Sequence, residues 1–218
     1  TVGALKHALR PAGGSWTVVE VDRSASVGHY ASLAVDGAGG AHAAYFDATN
    51  SALRYAYRPA GGSWAVEQVE NTADLGRYTA IGVDRDTTVH IVYYDSTNLD
   101  LKYARRAVGG SWEFTAVDTG GDVGQWASLD VDAAGVVHVS YYDVTRRALK
   151  YAWRETSGLW RNTTVDPTAW PSLGPTTGTG ARSCGTRHRT GSGGRPTSAT
   201  SPARPSHRRT PLRPGQSD

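Results

Sequence analysis

One interval, 48 residues, recurs through residues 1–166 and restricts what the chain can fold into. Leu5, Leu53, Leu101 and Leu149 are spaced by it, and so are Trp16, Trp64, Trp112 and Trp160. His42, His90 and His138 keep the same step. Two acidic sets follow it as well: Asp36, Asp84 and Asp132, and Asp47, Asp95 and Asp143. A fixed period of this size means stacked structural units, each burying its apolar face against the next.

Each period holds four short runs rich in Val, Tyr, Trp and Thr, separated by Gly, Asp and Asn. In the third copy they are Trp126–Asp132, Val137–Asp143, Leu149–Arg154 and Trp160–Asp166. The intervening DAAG, DVTRRA and ETSG are turn-formers, and no window sustains the 3.6-residue period of a helix. Four antiparallel strands in ~40–50 residues is the footprint of a β-propeller blade. Labelled A to D from the channel outward, complete blades are expected at about 30–70, 78–118 and 126–166. Residues 4–22 supply strands C and D alone. The fold class predicted is all-β: three complete four-stranded blades and a half blade of a β-propeller. Closed propellers have about four to eight blades, so missing blades or a second copy are expected to complete the ring.

Beyond Asp166 the pattern ends. Residues 167–218 hold eight Arg, no Lys and a single acid, Asp218, while residues 1–166 hold 15 Lys+Arg against 19 Asp+Glu. The net charge of +3 therefore averages an acidic repeat region with a basic tail, and gives no reason to expect a nucleic-acid partner for the repeats. The tail contains no Val, Ile, Phe or Tyr, a composition unable to bury a core, and is expected to be disordered. A Ser/Thr/Pro/Arg linker and out-of-frame translation of a GC-rich gene both produce such a composition. Apolar runs fall short of the ~18–20 residues of a membrane span. No signal peptide is evident, and one Cys excludes a disulfide framework. A chain that opens on Thr and lacks Met reads as a processed product or a piece of a longer frame.

Several repeated residues invite chemical readings. His42, His90 and His138 have a metal-like composition, but each occupies the same place in a different blade. The rings cannot converge on one ion. Hydrogen bonds to backbone are the expected role, and neither a metal nor a cofactor is predicted. The Trp after each Gly-Gly-Ser is expected to pack against the neighbouring blade. Asp36, Asp84 and Asp132 at the ends of strand A, and Asp47, Asp95 and Asp143 at the ends of strand B, suit bonds to backbone N–H groups in the following turn. Carboxylates gathered for acid/base work or calcium are the alternative, but symmetry spreads them one of each kind per blade. No G-x-S-x-G, H-E-x-x-H or phosphate-cradling Gly loop is present, so no catalytic residue is assigned.

The D–A connections keep a Gly and an aromatic but vary the residue between: His29-Tyr30, Arg77-Tyr78 and Gln125-Trp126. They share a face with the B–C turns carrying Asp47, Asp95 and Asp143. An aromatic beside a hydrogen-bonding side chain and a carboxylate suits a sugar, and these nine residues form the ligand site expected from sequence. Plugging the gap between blades is the alternative for the aromatics.

The phrases VHVSYYD, LKYA, GGSW and VGQWASL resemble repeat units of large bacterial and archaeal surface or secreted proteins that form β-propellers. The resemblance implies an extracellular or cell-surface module that binds a glycan or a surface protein, or acts as a scaffold, without catalysis. No copy carries the Trp-Asp ending of WD40 repeats, and neither the kelch pattern nor the sialidase Asp-box is matched. Two other readings share this fold: a non-catalytic part of a propeller enzyme whose active residues lie in other blades, and a purely structural spacer.

Overall fold

The structure, a computed structural model, describes residues 3–167. Fourteen strands make up the secondary structure of these residues. β1 (Leu5–Leu9) and β2 (Thr17–Asp22) form an antiparallel ribbon. The first four-stranded sheet comprises β3 (Val27–Val35), β4 (Ala41–Asp47), β5 (Ala52–Arg58) and β6 (Ala65–Glu70). The second has β7 (Leu75–Val83), β8 (Val89–Asp95), β9 (Asp100–Arg106) and β10 (Glu113–Asp118). The third has β11 (Val123–Val131), β12 (Val137–Asp143), β13 (Ala148–Arg154) and β14 (Trp160–Asp166). Every sheet is a meander in chain order, so the residues form three blades and a half blade of a β-propeller. The predicted tail lies outside the described residues.

Each innermost strand starts three residues earlier than the sequence leads one to expect, at Val27, Leu75 and Val123. Val27 already pairs with Asp47, but the register then slips twice, to His29↔Phe46 and Ser32↔Ala44. These bulges accommodate residues that would otherwise be loop, and they bend the strand. Gly76 shows why the position is Gly: its φ is +102°, and a Cβ there would sit 2.8 Å from Leu53 Cα in the preceding blade. The next blade's inner strand crosses the previous blade's third strand at backbone contact distance, where no side chain fits.

The core lies between blades. Ala44, Tyr55 and Leu53 of the first blade pack with Ile81, Ile91 and Tyr93 of the second. Val92, Leu101 and Tyr103 of the second pack with Val137, Val139 and Tyr141 of the third. With a neighbour on each side, β8 is buried along its whole length, and its sequence is nearly continuous in apolar and aromatic residues. The inner strands β3, β7 and β11 press on one another while the outer strands barely meet, which gives each blade its wedge.

A carboxylate at the end of each outer strand ties one blade to the next. The Tyr45 hydroxyl donates to Asp22 Oδ2 at 2.6 Å, and Tyr141 donates to Asp118 Oδ2 at 2.6 Å. Tyr93 donates likewise to Glu70. A cation completes each brace: Arg54 at 3.2 Å from Asp22, Lys102 at 2.6 Å from Glu70, and Lys150 on Asp118. Burial alone would raise the Asp118 carboxyl, but the Lys150 ammonium and the Tyr141 hydroxyl outweigh it and hold it below the usual range.

Candidate functional site

The bulged inner strands determine where the sequence-predicted residues go. Tyr30, Tyr78 and Trp126 all have left-handed backbone, with φ of 52°, 52° and 51°. That conformation costs a bulky residue roughly 1–3 kcal/mol, and all three copies bear it. Tyr30 and Tyr78 meet across the first two blades with ring centroids 4.7 Å apart, and Tyr78 and Trp126 meet across the next two at 5.2 Å. Phe46, Tyr94 and Tyr142 from the second strands abut these rings at 6.3, 5.9 and 5.6 Å. The three aromatics thus touch across blades, yet Tyr30 is 42% and Trp126 62% exposed.

The polar residues beside them are partly engaged. Arg77 donates to Asp74 Oδ2 at 2.9 Å and lies over the Phe46 ring. Gln125 donates to Asp122 Oδ1, which also accepts from the Tyr94 hydroxyl. His29 is exposed, with Nε2 3.3 Å from Ser26 Oγ.

Asp47, Asp95 and Asp143 leave the expected site. Each is buried and consumed by its own turn: Asp47 Oδ1 accepts from the N–H groups of Thr49 and Asn50, and Asp95 Oδ1 from those of Thr97 and Asn98. Asp143 accepts from the Arg146 N–H and guanidinium. These carboxylates shape the B–C turns and present no free oxygen row to a ligand.

The repeated His residues depart from expectation in another way, because their partners are side chains and not backbone. Tyr55 donates to His42 Nδ1 at 2.6 Å, and His42 Nε2–H donates to Asp36 Oδ2 at 3.1 Å. His90 repeats this with Tyr103 and Asp84, and His138 with Tyr151 and Asp132. A carboxylate can only accept, which fixes the tautomer. The other Asp36 oxygen accepts from the Ala38 and Gly40 N–H groups, as the turn reading expects. No group of His, Cys, Asp and Glu that could hold a metal occurs among the described residues.

A cavity of about 300 Å³ lies at the opposite end of the strands, between the first and second blades. His42, Tyr55, Tyr57, Thr87, Val89 and Arg106 line it, with the turn at 107–110. Arg106 is placed by its surroundings: its guanidinium pairs with Glu67 and lies 4.9 Å from the Tyr55 ring centre and 4.5 Å from that of Trp112. The Trp112 indole N–H donates to the same Glu67 oxygen at 3.1 Å. Burial pushes the Tyr55 phenol up to about 12 against the opposing pull of Arg106, so it stays a donor to His42. The cluster is complete at this interface alone among those described. Where Glu67 stands here, the other copies have Val19 and Thr115, and the Trp64 and Trp160 indole N–H groups are buried without a partner. Sequence reasoning passed over this site, although Arg58, Arg106 and Arg154 obey the 48-residue step. The signal was one irregular residue, Glu67, in an otherwise regular frame.

No helix among the described residues is long and apolar enough to cross a membrane. The chain matches no family model and no curated protein sequence. Solved structures are similar in fold. A fucose lectin from Kordia zhangzhouensis in complex with methyl-fucoside aligns with 17% identity and a TM-score of 0.43, over 61% of this chain and 96% of that one. The Aleuria aurantia lectin N224Q mutant in complex with alpha-methyl-L-fucoside aligns with 15% identity and a TM-score of 0.54, over 73% of this chain and 51% of that one. The match thus spans about half of the Aleuria lectin, and at this identity what is shared is the all-β propeller architecture.

Proposed function

We propose that this chain is a non-catalytic carbohydrate-binding module and that the cavity between its first two blades seats a single sugar unit. The observation that carries the reading is Arg106, held by Glu67 and flanked by the Tyr55 and Trp112 rings at a cavity wall. A guanidinium already fixed by a carboxylate and two aromatic neighbours loses little freedom when its remaining N–H groups bond a pair of sugar hydroxyls. Tyr57, its ring 4.7 Å from that of His42, supplies an aromatic wall for the C–H face of a pyranose. A cavity of this volume lies at the lower end of small-ligand pockets, roughly 300–1,000 Å³. A secreted or cell-surface location fits a module of this kind.

The test is calorimetric titration of the full chain with L-fucose, D-galactose, D-mannose, D-glucose and N-acetylglucosamine. Fucose is tried first because the Aleuria lectin of similar fold carries a fucoside. One sugar is expected to bind, with Arg106→Lys and Tyr57→Ala each weakening it by about tenfold or more. Absence of binding by every sugar, or binding indifferent to both changes, would remove the cavity as a sugar site.

A further inference from the structure

The opposite face carries a second aromatic feature that the cavity reading leaves unused. Phe46, Tyr30, Tyr78, Trp126 and Tyr142 form an unbroken run of ring contacts across three blades. Two features set this run apart from ordinary packing. Tyr30, Tyr78 and Trp126 hold an unfavourable left-handed backbone in every copy. That conformation does not end in full burial: Tyr78, with a ring on either side, is only half-buried, and Tyr30 and Trp126, at the two ends of the run, are 42% and 62% exposed. Strain kept at an exposed aromatic points to a surface used for contact.

The chemistry around the rings narrows the partner. The guanidiniums of Arg77 and Arg146 are tied to Asp74 and Asp143, which leaves Arg147 as the one exposed, unpaired guanidinium of the described B–C turns, too few cations for a polyanion. Asp122 is occupied by the Tyr94 hydroxyl and the Gln125 amide. What the face offers is a row of ring surfaces bordered by one imidazole, one paired guanidinium and one amide, at His29, Arg77 and Gln125. That suits a neutral ligand with alternating apolar faces and hydroxyls, extended enough to cross from blade to blade. The varying residue beside each aromatic then meets a different unit of the chain.

From this juxtaposition we infer that the Tyr30–Tyr78–Trp126 arc is a second binding surface, taking the interior of an unbranched neutral polysaccharide. It rests on the carbohydrate reading of the module but not on the cavity. The two surfaces sit at opposite ends of the strands, so one chain would hold an extended glycan on one face and a single sugar unit on the other.

Affinity electrophoresis of the full chain in gels containing linear mixed-linkage β-glucan, unsubstituted xylan, linear mannan or amylose tests it, with heparin as the polyanionic control. At least one neutral polymer is expected to retard the protein while heparin does not. Trp126→Ala and Tyr30→Ala should each weaken that retardation about tenfold, Trp126→Phe should retain most of it, and Tyr57→Ala should leave it unchanged. Oligosaccharides of the retarding polymer should bind more tightly as they lengthen from one to several units. Retardation lost in Tyr57→Ala but kept in Trp126→Ala would assign all sugar binding to the cavity and overturn the arc. Retardation by heparin alone, or by no polymer, would overturn it equally, whatever single sugars do at the cavity. Unchanged thermal unfolding of each variant separates lost binding from lost fold.

Discussion

At the residue scale, the glycine before each strained aromatic and the histidine inside each blade do most to fix local geometry. A Cβ on Gly76 would stand 2.8 Å from Leu53 Cα with φ at +102°, whereas one on Gly61, at φ +70°, meets nothing within 4 Å. Gly76→Ala should therefore destabilise by about 2 kcal/mol or more, and Gly61→Ala by about 1 kcal/mol from backbone strain alone. Denaturant unfolding of the two variants compares them, and equal losses would contradict the close crossing of blades. His90 makes a pH prediction. Burial is the largest influence lowering its pKa from 6.5, Arg105 and Arg154 act in the same direction, and Asp84 opposes them without prevailing. The unfolded chain takes up this proton more readily, so the stability His90 contributes is present above pH 6.5 and declines as the pH falls below it. The melting temperature should fall between pH 7 and pH 5, and His90→Gln should flatten that dependence.

The element scale is governed by the braces that join successive blades. Each consists of a Tyr from a blade's second strand, a cation from its third and a carboxylate from the end of the preceding blade's fourth. Removing one hydroxyl, as in Tyr141→Phe, leaves Asp118 with Lys150 as its side-chain partner and should cost about 1–3 kcal/mol. Because the Asp118 carboxyl is held below its ordinary 3.8, its contribution is present above that pH and lost as the pH falls through the lower folded-state value. An acid titration followed by tryptophan fluorescence should thus show a step well below the His90 one, to which Asp22, Asp36 and Asp84 also contribute, and Asp118→Asn should diminish it. A single acid transition unaffected by that change would mean the brace contributes nothing measurable.

For the whole molecule, packing is a relay from blade to blade, and uncovered surface follows from it. Ile81 and Val83 on β7 are covered by the first blade, whereas their equivalents on β3, Leu33 and Val35, stand 54% and 62% exposed. β1 has β2 as its sole partner in its sheet. An apolar strand face beside an open sheet edge is prone to pairing with another chain. Sedimentation should show concentration-dependent association that the double change Leu33→Lys, Val35→Lys reduces. A monomer at all concentrations would show that the face is tolerated as it stands.

The sequence determined the fold class, the blade count and the strand order, because a 48-residue period with four β runs admits few other architectures. It also identified the Asp residues that close turns and the aromatics Tyr30, Tyr78 and Trp126 as one set. Asp47, Asp95 and Asp143 serve the turns, as the sequence also allowed, since N–H groups two or three residues on take up their oxygens. Two things depended on contacts between strands. The His residues found Tyr and Asp side chains from neighbouring strands, which no local pattern specifies. The cavity at Arg106 arose because Glu67, Tyr55 and Trp112 meet across a blade interface, and a periodic sequence draws attention to what repeats while this site depends on the residue that does not. Period fixes architecture because every unit must bury the same face; a site is fixed where two units differ, and only their packing shows which differences come together.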